Sequence, residues 1–247
     1  MLNTHYKDIF ENQDTHWWYK GMREINMSLL KRYLPKKKNL KILDAGCGPG
    51  AALKYLSAFG DTIGVDLSDE ALKYAKTRGK VIKADVSNLP FPDETFDIVF
   101  SYGVLYHIWV KDDKKVLAEY RRVLKKGGLL LWEEPALNYL SGNEDAIAFG
   151  RHRFAAGEFK FKLKDNSFSI LKLTYLNFFL MPIVFLARLP FLLRIKKKKP
   201  ETGIFKMPKI INYLCYKILH LEKILIRYVN FPLGMSVICI ARKDIES

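Results

Sequence analysis

Between residues 40 and 135, five short apolar runs alternate with helical stretches, and this alternation restricts the fold more than any other feature of the sequence. Leu40 to Ala45 is an apolar run ending in a glycine-rich turn, so it reads as a buried strand. Thr62 to Val65, Val81 to Ala84, Phe96 to Phe100 and Leu129 to Trp132 supply four more. Helical composition lies between them. It covers Ala51 to Phe59, a stretch capped by Ser68 or Asp69 and running through Ala75, and Asp112 to Leu124. The last is closed by Lys125-Lys126-Gly127-Gly128, a stop signal. Such an order predicts a doubly wound α/β architecture, a mostly parallel sheet with helices on both faces. Ligands of these sheets sit at the carboxyl ends of the strands.

The turn Asp44-Ala45-Gly46-Cys47-Gly48-Pro49-Gly50 follows the first strand directly. Its glycines allow a sharp bend and let backbone N–H groups approach a ligand. Asp66 ends the next strand 20 residues beyond Gly46, where a carboxylate can accept both hydroxyls of a ribose. A nicotinamide dinucleotide is the obvious competitor, but its fingerprint spaces the glycines G-x-G-x-x-G for a pyrophosphate. Here the spacing is G-x-G-x-G with Asp44 two residues before the first glycine, and Asp85 ends the third strand. Three carboxylates around one pocket favour a cationic ligand carrying an ammonium and a sulfonium. Asp85 adds an acceptor for an exocyclic amine.

These segments resemble the successive motifs of the class I S-adenosylmethionine-dependent methyltransferases, of the methyltransferase type 11 kind. The resemblance rests on Leu43 to Gly50, Gly64-Val65-Asp66-Leu67-Ser68, Ala84-Asp85, Leu89 to Asp97, and Arg122 to Gly128, which occur in the right order. It implies a Rossmann-like, seven-stranded sheet and S-adenosyl-L-methionine as cofactor. It further implies that Gly46, Gly48 and Gly50 line the methionine end and that Asp44 meets the amino-acid portion. Asp66 with Leu67 would hold the ribose, Asp85 with the Val86 backbone the adenine, and Ser101 would complete the cofactor side. The His16-Trp17-Trp18-Tyr19 segment and the stretches around Leu173–Asn177 and Phe231–Ser236 resemble a bacterial and archaeal subgroup linked to glycan and lipid-linked sugar pathways.

Methyl transfer from a sulfonium needs an acceptor held in line, water excluded, and a base where the acceptor carries a proton. Ser101 to His107 follows the fourth strand, so His107 is the candidate base, with Tyr102 and Tyr106 shaping the pocket. The plainer reading of His107 is packing beneath the next helix. Cys47 sits in a strand–helix turn with no His or Lys beside it, so it reads as a packing residue and not a nucleophile. The aromatic segment from His16 to Gly21 reads either as a lid or as a staple onto the core. Arg151-His152-Arg153-Phe154 offers cationic density for an anionic acceptor, or a solvated loop. No zinc spacing links Cys47, Cys215 and Cys239, so no metal is expected.

Ile170 to Tyr175 and Met235 to Ala241 read as the sixth and seventh strands, separated by an insertion too long for a hairpin. The expected organisation is an N-terminal aromatic lid over 1–39, a core over 40–176 and 235–247, and an apolar, basic helical insertion over 177–234. The net charge of +15 concentrates at the end, with 19 Lys/Arg against 6 Asp/Glu in residues 151–247. Within the insertion, Phe178 to Leu193 is apolar but broken by Pro182, Arg188 and Pro190, which disfavours a span. Lys196 to Lys199 follows, then a helix over Ile210 to Tyr228 with Ile211, Leu214, Ile218, Leu221 and Leu225 on one stripe. Apolar surface beside a lysine cluster suits an anionic membrane surface, whereas a packed layer with solvated charge is the alternative. The expected function is methylation at O or N of a small-molecule or lipid/glycan-linked acceptor. An RNA methyltransferase and a non-catalytic binding protein are the alternatives. Absence of a signal-peptide pattern and of a disulfide framework points to the cytoplasm, peripheral at the inner membrane face.

Overall fold

The computed structural model describes residues 3–193 and 207–245. Two N-terminal helices, α1 (Asn3–Asn12) and α2 (Trp17–Tyr33), precede the sheet. The alternating region follows as β1 (Leu40–Ala45), α3 (Leu53–Leu56), β2 (Gly60–Asp66), α4 (Asp69–Ala75), β3 (Lys80–Lys83), β4 (Phe96–Tyr102), α5 (Asp113–Val123) and β5 (Leu124–Pro135). Then come α6 (Asn143–Ala148), α7 (Ala156–Asp165), β6 (Phe168–Leu176), α8 (Met181–Leu192), α9 (Lys209–Leu225) and β7 (Ser236–Lys243). The seven strands form one sheet in the order β3-β2-β1-β4-β5-β7-β6. β1 to β5 run parallel, and β7 inserts antiparallel between β5 and β6. This is the doubly wound, mostly parallel sheet expected, with a helical insertion before its last strand.

Local chemistry explains where the helices start. Ser68 caps α4 by accepting from Ala71 N, and Asp112 caps α5 by accepting from Lys115 N. The α3 segment has no side-chain cap, and its expected nine residues shrink to Leu53–Leu56. The Lys125–Gly128 signal acts differently from expectation. α5 ends at Val123, Leu124 is already extended, and Lys125–Gly128 lies inside β5. Gly127 takes φ +72°, and the pairing jumps from Phe96↔Leu124 to Ile98↔Leu129. The glycines therefore form a bulge that lets the strand begin directly after the helix. Beyond it β5 runs to Pro135, three residues past the expected end, because β7 pairs with it through Ser236.

The core lies on both faces of the central strands. Ile42, Leu43, Ile98, Val99, Leu130 and Leu131 are fully buried, and α2 contributes Ile25, Leu29 and Leu30. On the other face Trp132 stacks on Phe159 of α7 at 3.6 Å and 5°.

The helix α9 departs from the expected stripe. Its buried side is Leu219 and Glu222, with Cys215, Ile218 and Leu225 partly buried, whereas Ile211, Leu214 and Leu221 face solvent. α9 lies along α2: Trp17 N donates to Asn212 Oδ1 at 2.9 Å, Tyr216 Oη to Glu24 at 2.8 Å, and Lys223 Nζ to Glu24 at 2.9 Å. Gly21 admits this approach, since a side chain there would overlap Leu219. The buried Glu222 carboxylate accepts from Asn177 N at 2.5 Å and Phe178 N at 3.0 Å, fastening α9 to the end of β6. The N-terminal helices and the insertion are thus joined. The lysine run Lys196–Lys199 lies outside the described residues.

Candidate functional site

The loop after β1 bends because Gly46, Gly48 and Gly50 all have positive φ, a region that L side chains avoid. Gly46 N and Cys47 N both donate to Val65 O at 2.8 Å, which ties the turn to the end of β2. Gly46 also faces Val104, so close that a Cβ would collide, and this brings the loops after β1 and β4 together. Asp66 closes the cradle: Oδ2 accepts from Gly48 N at 2.9 Å and Oδ1 from Ser68 N at 2.8 Å. Burial raises its pKa, against the pull of these backbone donors.

Asp44 is the most unusual group at this end of the sheet. It is 2% exposed and its Oδ2 has no hydrogen-bond partner. Burial first, and the nearby Asp66 second, push its carboxyl up to about 8. A buried, unpartnered carboxylate oxygen beside the glycine turn suits a ligand that carries an ammonium. The amino-acid portion of S-adenosylmethionine carries one. Leu67 is 49% exposed next to Asp66, an apolar surface of the kind a nucleoside covers. Asp85 is exposed and uses Oδ1 on Ser87 N at 2.8 Å, and Val86 is buried beside it. The residues present therefore fit the cofactor. Ser101 differs from its expected place: its hydroxyl lies 3.1 Å from Tyr120 Oη, fully buried under α5. Cys47 is buried and its thiol is pushed far up by burial and by Asp44, as a packing residue requires.

At the ends of β4 and β5 the structure gathers groups that lie far apart in sequence. Tyr102 is half-buried, burial and Glu133 raise its pKa, and Trp18 of α2 lies beside it. Asn26 of α2 donates to Glu133 Oε2 at 2.6 Å. Next along β5, Glu134 accepts from Val104 N at 3.2 Å, Leu105 N at 2.8 Å, Tyr106 N at 3.3 Å and Trp132 Nε1 at 2.9 Å. Burial lifts Glu134 to about 7 despite these donors. Its carboxylate shapes the loop that carries Tyr106 and His107.

His107 is turned toward backbone. Its Nδ1 lies 2.6 Å from Ala148 O, the Gly103 carbonyl faces it as well, and burial pulls its pKa down to about 4. The ring packs against Tyr106, tilted by 40° with centroids 4.2 Å apart. This geometry speaks for the packing role that the sequence left beside the proton-accepting one. The Arg151–Arg153 cluster is likewise engaged internally. Arg151 pairs with Asp113, His152 with Glu158 at 2.9 Å, and Arg153 with Asp145 at 2.9 Å.

The N-terminal segment lies over both halves of the site. In α1, the buried Tyr6 sits beside Ser68 and Asp66. Phe10 packs on Tyr74 at 5.0 Å, and Arg78 lies over Phe10 at 4.5 Å. In α2, Trp18 and Asn26 cover Tyr102 and Glu133. Two open surface hollows lie at the opposite, amino ends of the strands, one lined by Asp93, Arg122 and Lys243, the other by Leu34, Leu40 and Phe59. None of the residues above lines either.

Sequence reasoning singled out neither Glu133 nor Glu134. Two carboxylates ending the apolar Leu129–Trp132 run were the available signal. Asn26 carried none, because its helix meets the sheet only in the fold.

Residues 43–132 match the family model described as a methyltransferase domain. Over 48% of its length the chain is 35% identical to a malonyl–acyl-carrier-protein O-methyltransferase from Hamiltonella defensa, covering 46% of that protein. It is 32% identical over 51% of its length to a probable tRNA methyltransferase 9B from Bos taurus, covering 28% of that one. The chain spans less than half the length of these relatives. A solved S-adenosylmethionine-dependent methyltransferase from Mesorhizobium loti shares the fold at a TM-score of 0.58 and 18% identity, covering 94% of this chain and all of that one. Residues 43–132 thus match a methyltransferase domain, set in a sheet that shares its fold with solved methyltransferases.

Proposed function

We propose that this chain, built around the methyltransferase domain of residues 43–132, methylates a small-molecule or lipid- or glycan-linked acceptor held at the carboxyl ends of β4 and β5. The observation that carries the reading is Asp44, a buried carboxylate with an unpartnered oxygen beside the glycine turn at the carboxyl end of β1. When bound, the cofactor supplies an electrophilic methyl group on a sulfonium. Asp44 would pair with its ammonium, the turn from Gly46 to Gly50 would enclose the methionine end, and Asp66 would exchange a backbone partner for the ribose hydroxyls. Leu67, Asp85 and Val86 would flank the adenine. Tyr102 and Tyr106 would shape the acceptor side, with His107 fixing the loop between them. α1 and α2 would exclude water over both, with Tyr6 toward the cofactor and Trp18 toward the acceptor.

The acceptor class draws support from the outer face of the insertion. Ile183 and Leu186 of α8 and Ile210, Leu214 and Leu221 of α9 are all at least half exposed. No helix among the described residues is long and apolar enough to cross a membrane. Exposed apolar side chains on a basic segment suit contact with an anionic membrane, where a lipid-linked acceptor would be met. Incubating the protein with methyl-labelled cofactor and separate lipid, glycan, small-molecule and RNA fractions of cells tests the reading by mass spectrometry. Label should enter one of the first three. Label confined to RNA would overturn the acceptor class and favour a role for the basic C-terminal third in holding nucleic acid.

A further inference from the structure

Resting on the methyltransferase reading, we propose that Glu133 is the general base of the reaction and that the acceptor atom is a hydroxyl or an amine, not a carboxylate. Three buried side chains lie together beneath α2. Glu133 is 1% exposed, Asn26 2% and Asn177 0%. Each keeps one oxygen without a hydrogen-bond partner: Glu133 Oε1, Asn26 Oδ1 and Asn177 Oδ1. Asn26 is bound to Glu133 at 2.6 Å, and Asn177 Nδ2 lies 3.1 Å from Met22 Sδ, one helical turn before Asn26 on the same face of α2. Buried polar atoms are nearly always hydrogen-bonded, so the unpartnered oxygens of the bonded pair Glu133 and Asn26, with a third on Asn177 against the neighbouring turn of α2, call for a ligand that brings donors.

The position fits the chemistry. Glu133 pairs with Tyr102 at the carboxyl end of β4, and β4 is the immediate neighbour of β1, whose penultimate residue, Asp44, stands just before the glycine turn. Two strand spacings, about 10 Å, separate the two carboxylate-bearing strands, which leaves room for a cofactor and an acceptor end to end. A carboxylate or phosphate acceptor would face the free oxygens of Glu133 and Asn26 and be repelled. A hydroxyl or amine would donate to Glu133 Oε1, with Asn26 and Asn177 receiving neighbouring donors. As the acceptor atom bonds to the methyl carbon and the carbon–sulfur bond breaks, the acceptor's proton passes to Glu133. The carboxylate becomes neutral as the sulfonium charge disappears, so charge balances.

Burial is the main reason that the Glu133 carboxyl is pushed up to about 8, and Glu134 adds to it while Asn26 and Ser236 oppose it. The titratable groups acting on it are Glu134 beside it on β5 and Tyr102 from β4, while α2 and β7 present the neutral Asn26 and Ser236. A base titrating near the working pH is suited to accept a proton in the transition state.

The test combines product chemistry, pH profile and cofactor affinity. Methyl groups transferred to a cell extract from labelled cofactor should survive mild alkali, as ethers and N-methyl groups do. Release as methanol would reveal a methyl ester and overturn the proposal. Glu133→Gln should slow transfer by about 10²-fold or more and remove the rising limb of the pH profile. Its affinity for S-adenosylhomocysteine by calorimetry should stay within about twofold. In the infrared, the variant should lose one protonated-carboxyl band that titrates near neutral pH. Asn26→Ala, which takes a hydrogen-bond donor from the ionised carboxylate, should move the limb to higher pH. A full rate with an intact limb in Glu133→Gln, or an unmoved limb in Asn26→Ala, would overturn the assignment. Failure of the wild-type chain to bind S-adenosylhomocysteine would instead strike the methyltransferase reading beneath it.

Discussion

Replacing Asp44 with Asn should make the ligand-free protein more stable in mild alkali and at the same time weaken cofactor binding. The carboxyl is pushed up to about 8 in the fold by burial and by Asp66, whereas an unfolded aspartate titrates near ~3.9. Between those values the folded chain holds a proton that the unfolded chain has lost. The unfolded state therefore binds fewer protons, and stability falls as pH rises through this window, by up to about 1.4 kcal/mol per pH unit. Above about pH 8 both states are ionised and this slope ends. Asn cannot ionise, so the variant loses the slope, and its advantage over the wild type should grow from pH 5 to pH 8. Cofactor affinity moves the other way, because the charged partner for the ammonium is gone. A hydrogen bond to a charged group is worth about 1.5–3 kcal/mol, which corresponds to roughly tenfold to 150-fold in affinity. Urea unfolding across that pH range reads the first effect and calorimetry with S-adenosylhomocysteine the second. An unchanged pH slope would refute the burial argument, and unchanged affinity would refute the role given to Asp44.

Two further outcomes follow from the same geometry. Glu134→Ala leaves three backbone N–H groups and the Trp132 indole without their acceptor, which should cost about 3 kcal/mol or more in urea unfolding. A loss under about 1 kcal/mol would mean that the 104–106 loop holds itself. Leu214→Glu with Leu221→Glu places charge on the exposed apolar face of α9, and should reduce co-sedimentation with anionic vesicles while cofactor affinity stays the same. Wild-type protein that ignores such vesicles would assign the face to something other than lipid.

The sequence by itself determined the sheet and the order of its elements. Leu40–Ala45 appears as β1 with the expected bounds, and Ser68 caps its helix as read. These features are local: apolar runs of strand length, capping side chains and a glycine turn each carry their physics within a few residues. The stop signal at Lys125–Gly128 was legible as a break, but whether it closed a helix or bulged a strand depended on β4 lying alongside. The glycine turn with Asp44 and Asp66 beside it was legible for a similar reason, since both carboxylates sit at strand ends that the parallel topology brings together.

Tertiary structure alone decided which side chains meet at the ends of β4 and β5. Asn26 and Glu133 are 107 residues apart and meet only because α2 packs across the ends of β4 and β5. His107 looked available from its place after β4, yet its ring is directed at two backbone carbonyls by a loop that Glu134 shapes. In α9 the apolar residues satisfy more than one helical stripe, and periodicity cannot say which will be covered. That choice fell to Gly21, whose missing side chain lets Leu219 settle on α2 and leaves Leu214 and Leu221 outside. Burial and pairing between distant segments depend on the whole packed chain, and they set both the proton affinities and the free oxygens on which the chemistry rests.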